Sequence, residues 1–174
     1  KRSSGGIAKI TERWLILEGY VLFFLHTQSP ATEPTISQNP PLEKYLRTLV
    51  SSELSSSSTD KVGANVGMMI LHVLLLIALR SNPTDIAEKV VALDRYRRRY
   101  LDQQSNLRTE TFVTMLRHLS FDNFNMQITG KKTKDLYLKL VPATPTTIDS
   151  TEDYELIPFD IIWKRLMDFY GVEN

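Results

Sequence analysis

The sequence predicts a mainly α-helical, compact domain of about six helices with one antiparallel β-hairpin near its C-terminal end. Apolar residues recur at three- and four-residue spacing through most of the chain, which is typical of amphipathic helices. Over residues 123–141 they alternate with polar residues instead, which is typical of strands. A chain of 174 residues with a 42% apolar share is long enough for a single domain with a buried core.

Two helices are predicted in the first third of the chain. The first covers residues 7–27. Its inner face is predicted to consist of Ile10, Trp14, Leu17, Val21 and Phe24. Residues 28–41 contain four prolines, so we expect an exposed loop there, before a second helix over residues 42–50. The serine-rich residues 51–59 are predicted to form a flexible linker.

Three further helices are predicted in the middle of the chain. Residues 61–80 form the most apolar segment and the predicted centre of the core. Residues 84–103 follow, with Ser81 or Thr84 as the candidate N-cap. Residues 107–119 form the fifth predicted helix.

The predicted hairpin covers residues 123–141 and turns one face toward the core. Its inward side chains are predicted to be Phe124, Met126, Ile128, Leu136, Leu138 and Leu140. Residues 130–132 would form its turn. Residues 142–153 are predicted to be a polar loop, and residues 158–170 a last helix that begins at a proline and stops before a glycine.

The composition argues against several classes of protein and site. The chain has no cysteine, which excludes disulfides, thiolate nucleophiles and cysteine-based metal sites. A net charge of +1 predicts no global attraction to nucleic acid or acidic membranes. The apolar runs over residues 14–25 and 68–79 are shorter than the roughly 20 residues of a membrane-spanning helix, so no membrane insertion is expected. Because the chain begins with Lys1, we expect a piece of a longer protein or a processed product. The lack of cysteines and of glycosylation sequons favours a cytoplasmic or nuclear location.

Recognisable catalytic, metal-binding and cofactor-binding patterns are missing from the sequence. His26, His72 and His118 lie far apart and lack the spacing of zinc sites. There is no phosphate-binding glycine loop and no nucleophile elbow. The acidic side chains within residues 149–155 are expected to be solvated in a loop. We therefore expect no metal, no cofactor and no enzyme activity, and an enzyme built from these carboxylates and His118 is the weakest hypothesis.

The three histidines recur at 46-residue intervals, each after an apolar patch. A helix-pair period of this length is typical of HEAT-like arrays, which stack helical hairpins and present a binding face. Coincidence is the simpler explanation, since three positions define only two intervals.

Residues 95–100 hold four arginines and two tyrosines and form the most basic stretch of the chain. The arginines are Arg95, Arg97, Arg98 and Arg99. Such a helix can contact phosphates and stack on bases. Alternatively, Asp94 and Asp102 each lie four residues from Arg98, so ion pairs within the helix would make this an ordinary solvated face.

A second basic site is predicted at the turn of the hairpin, with Lys131, Lys132 and Lys134. A helix followed by a hairpin with a basic tip is typical of a winged-helix arrangement. In that arrangement residues 107–119 would enter a DNA groove and the lysines would contact the backbone.

The last predicted helix carries a dense stripe of aromatic and apolar side chains. Its candidate partner-binding residues are Trp163, Leu166, Phe169 and Tyr170. Such a stripe usually belongs to the core, but on a surface it would provide anchors for a partner or a second copy of the chain.

These patterns favour a non-enzymatic protein-interaction or scaffolding domain of a larger intracellular or viral protein, with self-association among its options. The alternative is a winged-helix-like nucleic-acid-binding domain that uses the basic helix 95–99 and the basic turn 131–134.

Overall fold

The computed structural model describes residues 4–28, 40–55, 62–101, 106–141 and 155–171, and in these ranges all regular structure is helical. The helices are α1 Ser4–Gln28, α2 Pro40–Ser55, α3 Val62–Ala78, α4 Pro83–Tyr100, α5 Leu107–Phe121, α6 Met126–Leu140 and α7 Phe159–Gly171. Most of the predicted loop 28–41, the second half of the predicted linker 51–59 and the whole predicted loop 142–153 lie outside the described residues. Residues 51–55 belong to α2, where the Ser51 hydroxyl donates to the carbonyl of Arg47 at 2.9 Å.

The core is built around α3, as its apolar sequence predicts. Its side chains from Val66 to Leu79 are almost all buried, and α1, α2 and α4 pack around it. Gly19 of α1 allows a close approach of this helix to α2 and α3. A Cβ atom at this position would lie 2.5 Å from the hydroxyl oxygen of Tyr45 and closer still to the side chain of Leu71.

The second half of the bundle consists of α5, which packs between α4 and α6, and α7, which packs against α1, α5 and α6. The rings of Phe112 and Phe159 stack in parallel at the α5–α7 contact, with centroids 4.5 Å apart and an interplanar angle of 3°. Both side chains are fully buried, so this pair joins α7 to the common core.

Asparagine side chains begin both α4 and α6. The N-cap of α4 is Asn82, which accepts a hydrogen bond from the backbone N–H of Thr84 at 2.9 Å. The prediction of Ser81 or Thr84 as the N-cap was therefore wrong by one or two residues. Asn125 caps α6 in the same way, by accepting from the N–H of Ile128 at 3.0 Å.

The predicted hairpin over residues 123–141 is wrong, because these residues form α6 and the described chain contains no strand. The buried side chains of this segment are Thr129, Thr133 and Leu140, which share one face of a helix. Ile128 and Leu138, which were expected to face inward, are 47% and 61% exposed.

Threonine is tolerated on the buried face of α6 because each hydroxyl has a partner. The Thr133 hydroxyl donates to the carbonyl oxygen of Thr129 at 2.8 Å, and the Thr129 hydroxyl donates to a carboxylate oxygen of Asp122 at 3.2 Å. A prediction based on the alternation of apolar and polar residues treats both threonines as outward-facing. It therefore finds the two-residue period of a strand where the segment is a helix.

A tight turn joins α5 to α6 and places two consecutive residues at positive φ. Asn123 has φ 49° and Phe124 has φ 59°, a conformation in which a bulky residue is strained. The N–H groups of Asn123 and Phe124 donate to the carbonyls of Ser120 and Leu119, which completes a Schellman motif at the end of α5. The Phe124 ring stacks on Tyr170 of α7 at 5.6 Å, and this contact supports the strained turn.

Candidate functional site

The aromatic stripe of α7 lies inside the fold. Trp163, Leu166 and Phe169 are buried, and Tyr170 is half-buried. Phe169 has the guanidinium of Arg80 over its ring at 5.4 Å and the ring of His26 at 6.4 Å. Trp163, Leu166 and Phe169 are therefore core side chains in this conformation, and of the four predicted partner-binding residues only Tyr170 is partly open to solvent.

The arginines of α4 differ in their surroundings. Arg97 is buried, and its guanidinium lies 3.0 Å from Asp94 and 3.3 Å from Glu110 of α5. Arg98 is exposed and donates to the other oxygen of Asp94 at 2.7 Å, which is the pair four residues apart that the sequence predicts. Arg95 and Arg99 are exposed on the outer side of the helix.

Asp94 is the centre of this charged cluster, because Arg117 of α5 also approaches it, at 3.4 Å. Burial alone would raise the pKa of Asp94. Hydrogen bonds from Arg97 and Arg98, together with the positive charges of Arg98 and Arg117, outweigh burial and hold the pKa below its ordinary value. The carboxylate is therefore ionised at neutral pH and organises three guanidinium groups from two helices.

The lysines assigned to the hairpin turn lie on α6. Lys131, Lys132 and Lys134 are exposed, and Lys132 pairs with Asp122 at the end of α5. Because α6 replaces the hairpin, these lysines form no wing. The helix expected to enter a DNA groove, α5, packs between α4 and α6, so the winged-helix arrangement is wrong.

A surface that the sequence patterns did not isolate lies on α1. Trp14, Val21 and Leu25 are 68%, 58% and 58% exposed, although Trp14 and Val21 were expected to face inward. Together with the exposed Glu18 they form a row at intervals of four, three and four residues, which we call the α1 outer row. Among residues 13–28, whose side chains the structure describes, the buried ones are instead Ile16, Gly19, Tyr20, Phe23 and Thr27, and the side chain of Ile10 lies outside this described part.

The sequence left open which face of α1 is buried, because apolar residues lie on nearly every side of this helix. Glu18 was the available signal, since a charged residue in the middle of a face marks that face as solvent-accessible. Gly19 was the second signal, because a close helix contact through a glycine puts the neighbouring Tyr20 and Phe23 on the inner side.

Arg108 of α5 contacts both α6 and the start of α7. Its partner before α7 is Glu155, a carboxylate that was expected to be solvated. Its guanidinium donates two hydrogen bonds to Glu155, at 2.8 and 2.7 Å, and a third to the carbonyl oxygen of Leu140 at 2.6 Å. Glu155 also accepts from the N–H of Phe159 at 2.9 Å and so caps α7. The remaining acidic residues of that predicted loop, 149–153, lie outside the described residues.

The histidines of the described chain lie on three different helices. His26, His72 and His118 lie on α1, α3 and α5, and the described residues contain no group of three or more potential metal ligands. The His26 Nε2 atom lies 3.1 Å from the carbonyl oxygen of Ala78, and His72 is buried in α3. Burial raises the pKa of Tyr20 and of Tyr45, so both phenols stay protonated at neutral pH.

Comparison with known proteins gives no relative from which a site could be transferred: no family model, curated protein or solved structure matches the chain. Among the helices in the described ranges, none is long and apolar enough to cross a membrane. The surfaces on α1 and α4 are therefore judged by their own chemistry.

Proposed function

We propose that this chain is a non-enzymatic protein-interaction module and that it self-associates through the α1 outer row. The supporting observation is the exposure of Trp14, Val21 and Leu25, three large apolar side chains on one face of one helix. Single exposed hydrophobic residues are common on protein surfaces, but three large ones on the same helix face, one of them a tryptophan, are typical of an interaction site.

The spacing of the row favours a second α1 as its partner. Intervals of four and three residues are those of a coiled-coil seam, in which two helices pair along the same face. From Trp14 to Leu25 the row extends for about 17 Å along the helix axis. Leu15, Leu22 and Phe24 are only partly buried and flank it, so the apolar strip is wider than the row itself.

A dimer with two-fold symmetry would bury the α1 outer row without any other partner, because each copy covers the row of the other. Glu18 is the charged position within the row. In such a seam a polar residue lowers affinity and fixes the register and number of the helices, so a defined dimer is expected instead of open-ended association.

The experiment is sedimentation velocity on the 174-residue chain over a concentration series. The unmodified chain is expected to change from the mass of one copy to that of two as concentration rises. Leu25→Glu should keep the chain monomeric, because it places a second carboxylate in the buried seam, beside the one that Glu18 already contributes. The fold of the variant is checked by circular dichroism and urea unfolding.

Leu138→Glu is the matched control, because Leu138 of α6 is exposed to a similar degree and the substitution is the same. This variant should dimerise like the unmodified chain. The proposal fails if the unmodified chain stays monomeric at every concentration, or if Leu138→Glu weakens association as much as Leu25→Glu does.

A further inference from the structure

The cluster around Asp94 contains more positive than negative charge. Arg97, Arg98 and Arg117 share the carboxylates of Asp94 and Glu110. Arg98 and Arg117 approach the same oxygen of Asp94, at 2.7 and 3.4 Å, so their guanidinium groups lie side by side at the α4–α5 boundary. A guanidinium has five N–H donors, and these contacts leave most of the donors of both groups for other acceptors.

Two further arginines extend this positive charge along α4. Arg95 and Arg99 are exposed, and neither takes part in an ion pair within the described residues. With Arg98 and Arg117 they form what we call the α4–α5 arginine surface. Guanidinium groups bind phosphate oxygens through paired hydrogen bonds, which makes a phosphate-bearing ligand the chemical match for this surface.

Exposed aromatic rings accompany the arginines at both ends of the surface. Tyr100, 45% exposed, has the guanidinium of Arg99 over its ring at 5.3 Å, and Phe121, 63% exposed, has that of Arg117 at 5.7 Å. Arg97 contacts Glu110 while Asp94 contacts Arg117, so α4 and α5 run antiparallel. Tyr100 and Phe121, the last residues of the two helices, therefore lie at opposite ends.

We infer that the α4–α5 arginine surface binds single-stranded nucleic acid, with phosphates on the guanidinium groups and bases stacked on Tyr100 and Phe121. Stacking on exposed rings requires unpaired bases, which favours a single strand over a duplex. The packing of α5 between two helices removes the element that would have read a DNA groove. This inference is independent of the proposed self-association, because the two surfaces share no residue.

The test is a fluorescence-anisotropy titration of the 174-residue chain with labelled poly-dT and poly-U oligonucleotides, and with a DNA duplex of the same length, at low and physiological salt. The single strands are expected to bind more tightly than the duplex, and their affinity should fall steeply as salt rises. The double variant Arg95→Glu/Arg99→Glu should weaken binding by about tenfold or more and lower the salt slope by roughly 0.7 for each lost phosphate contact.

The control variant Lys139→Glu/Lys164→Glu makes the same change in net charge on the exposed sides of α6 and α7. It should change affinity by less than about twofold if binding is confined to the arginine surface. Tyr100→Leu and Phe121→Leu should each weaken single-strand binding by about fivefold or more, since each loses one stacking platform.

Three results would overturn the inference. The first is no binding of either single strand at low salt, and the second is equal weakening by the arginine and lysine variants. The third is preferential binding to the duplex, or to vesicles of anionic phospholipid in place of the oligonucleotides, because either outcome assigns the arginines to another class of ligand.

Discussion

The hydroxyl of Tyr170 donates a hydrogen bond of 2.9 Å to the carbonyl oxygen of Ile77, a residue 93 positions earlier in the chain. The bond joins the end of α7 to the last turn of α3, where the carbonyl oxygen of Ile77 also accepts a hydrogen bond from the backbone N–H of Arg80 at 3.0 Å. The same ring stacks on Phe124 at 5.6 Å and lies under the guanidinium of Arg80 at 5.6 Å. Tyr170 therefore connects the last helix to the centre of the core and to the α5–α6 turn.

Replacing Tyr170 with phenylalanine tests the contribution of this hydrogen bond. The ring and its stacking are kept, but the carbonyl of Ile77 loses its side-chain donor and keeps only the backbone N–H of Arg80, so Tyr170→Phe should lower the free energy of unfolding by about 1 kcal/mol in urea titrations. Tyr100→Phe is the control, because Tyr100 is exposed and should change stability by less than about 0.5 kcal/mol. Equal stability of the two variants would show that the bond to Ile77 contributes nothing.

Two helical glycines should respond in opposite ways to alanine. Gly19→Ala places a methyl group against Tyr45 and Leu71, so overpacking should outweigh the gain in helix propensity and lower stability by about 1–3 kcal/mol. At Gly130 the nearest atom is the flexible end of Met167, 3.2 Å away, so Gly130→Ala should be neutral or stabilise by up to about 1 kcal/mol. Thermal unfolding of both variants measures the difference, and a neutral Gly19→Ala would contradict the close packing of α1 on α2 and α3.

The sequence predicted those elements in which apolar residues make up most of the buried face, although α5 also buries Thr109 and Thr111. Residues 61–80, 84–103 and 107–119 match α3, α4 and α5 to within a few residues, because leucine, isoleucine, valine and methionine define their inner sides. Prediction failed for α6, whose inner side is formed partly by Thr129 and Thr133. Burial of a hydroxyl depends on a hydrogen-bond partner, and partners such as Asp122 are known only once the chain is folded.

The candidate surfaces were harder to predict than the helices. The sequence indicated the arginine cluster, but the ion pair between Arg97 and Glu110 joins two helices and could not be predicted from the pattern of either one. The α1 outer row was missed for a different reason. In a helix that is apolar on nearly every side, the apolar periodicity does not identify the face that meets α3, and only Glu18 and Gly19 indicated it.

The opposite burial of Ile128 and Thr133 provides a direct test of α6. In the helix, Ile128 is nearly half exposed and Thr133 is buried, so Ile128→Asp should be nearly neutral, whereas Thr133→Asp should cost about 3 kcal/mol or more by burying a carboxylate. In the hairpin predicted from alternation the order would be reversed. Urea unfolding of the two variants distinguishes the arrangements, and a destabilised Ile128→Asp with a stable Thr133→Asp would restore the hairpin.

The cluster around Asp94 should make stability depend on pH in the acid range. The pKa of Asp94 is lower in the folded chain than its ordinary value of about 4, so the unfolded chain takes up a proton first as pH falls. The contribution of Asp94 is therefore complete above about pH 5 and is lost as pH falls from about 4 through the lowered folded pKa. Urea unfolding at a series of pH values should show this loss.

Asp94→Asn removes both the charge and its titration. At neutral pH the variant should be less stable by about 3–5 kcal/mol, because the buried Arg97 loses one of its two carboxylates and Arg117 loses its partner across the α4–α5 contact. Its stability should also fall less between pH 5 and 3 than that of the unmodified chain. Asp122 has a lowered pKa as well, mainly through the hydrogen bond from Lys132, so the variant keeps part of the acid dependence. If Asp94→Asn and the unmodified chain lost stability in parallel over that range, the guanidinium groups around Asp94 would not stabilise its ionised form.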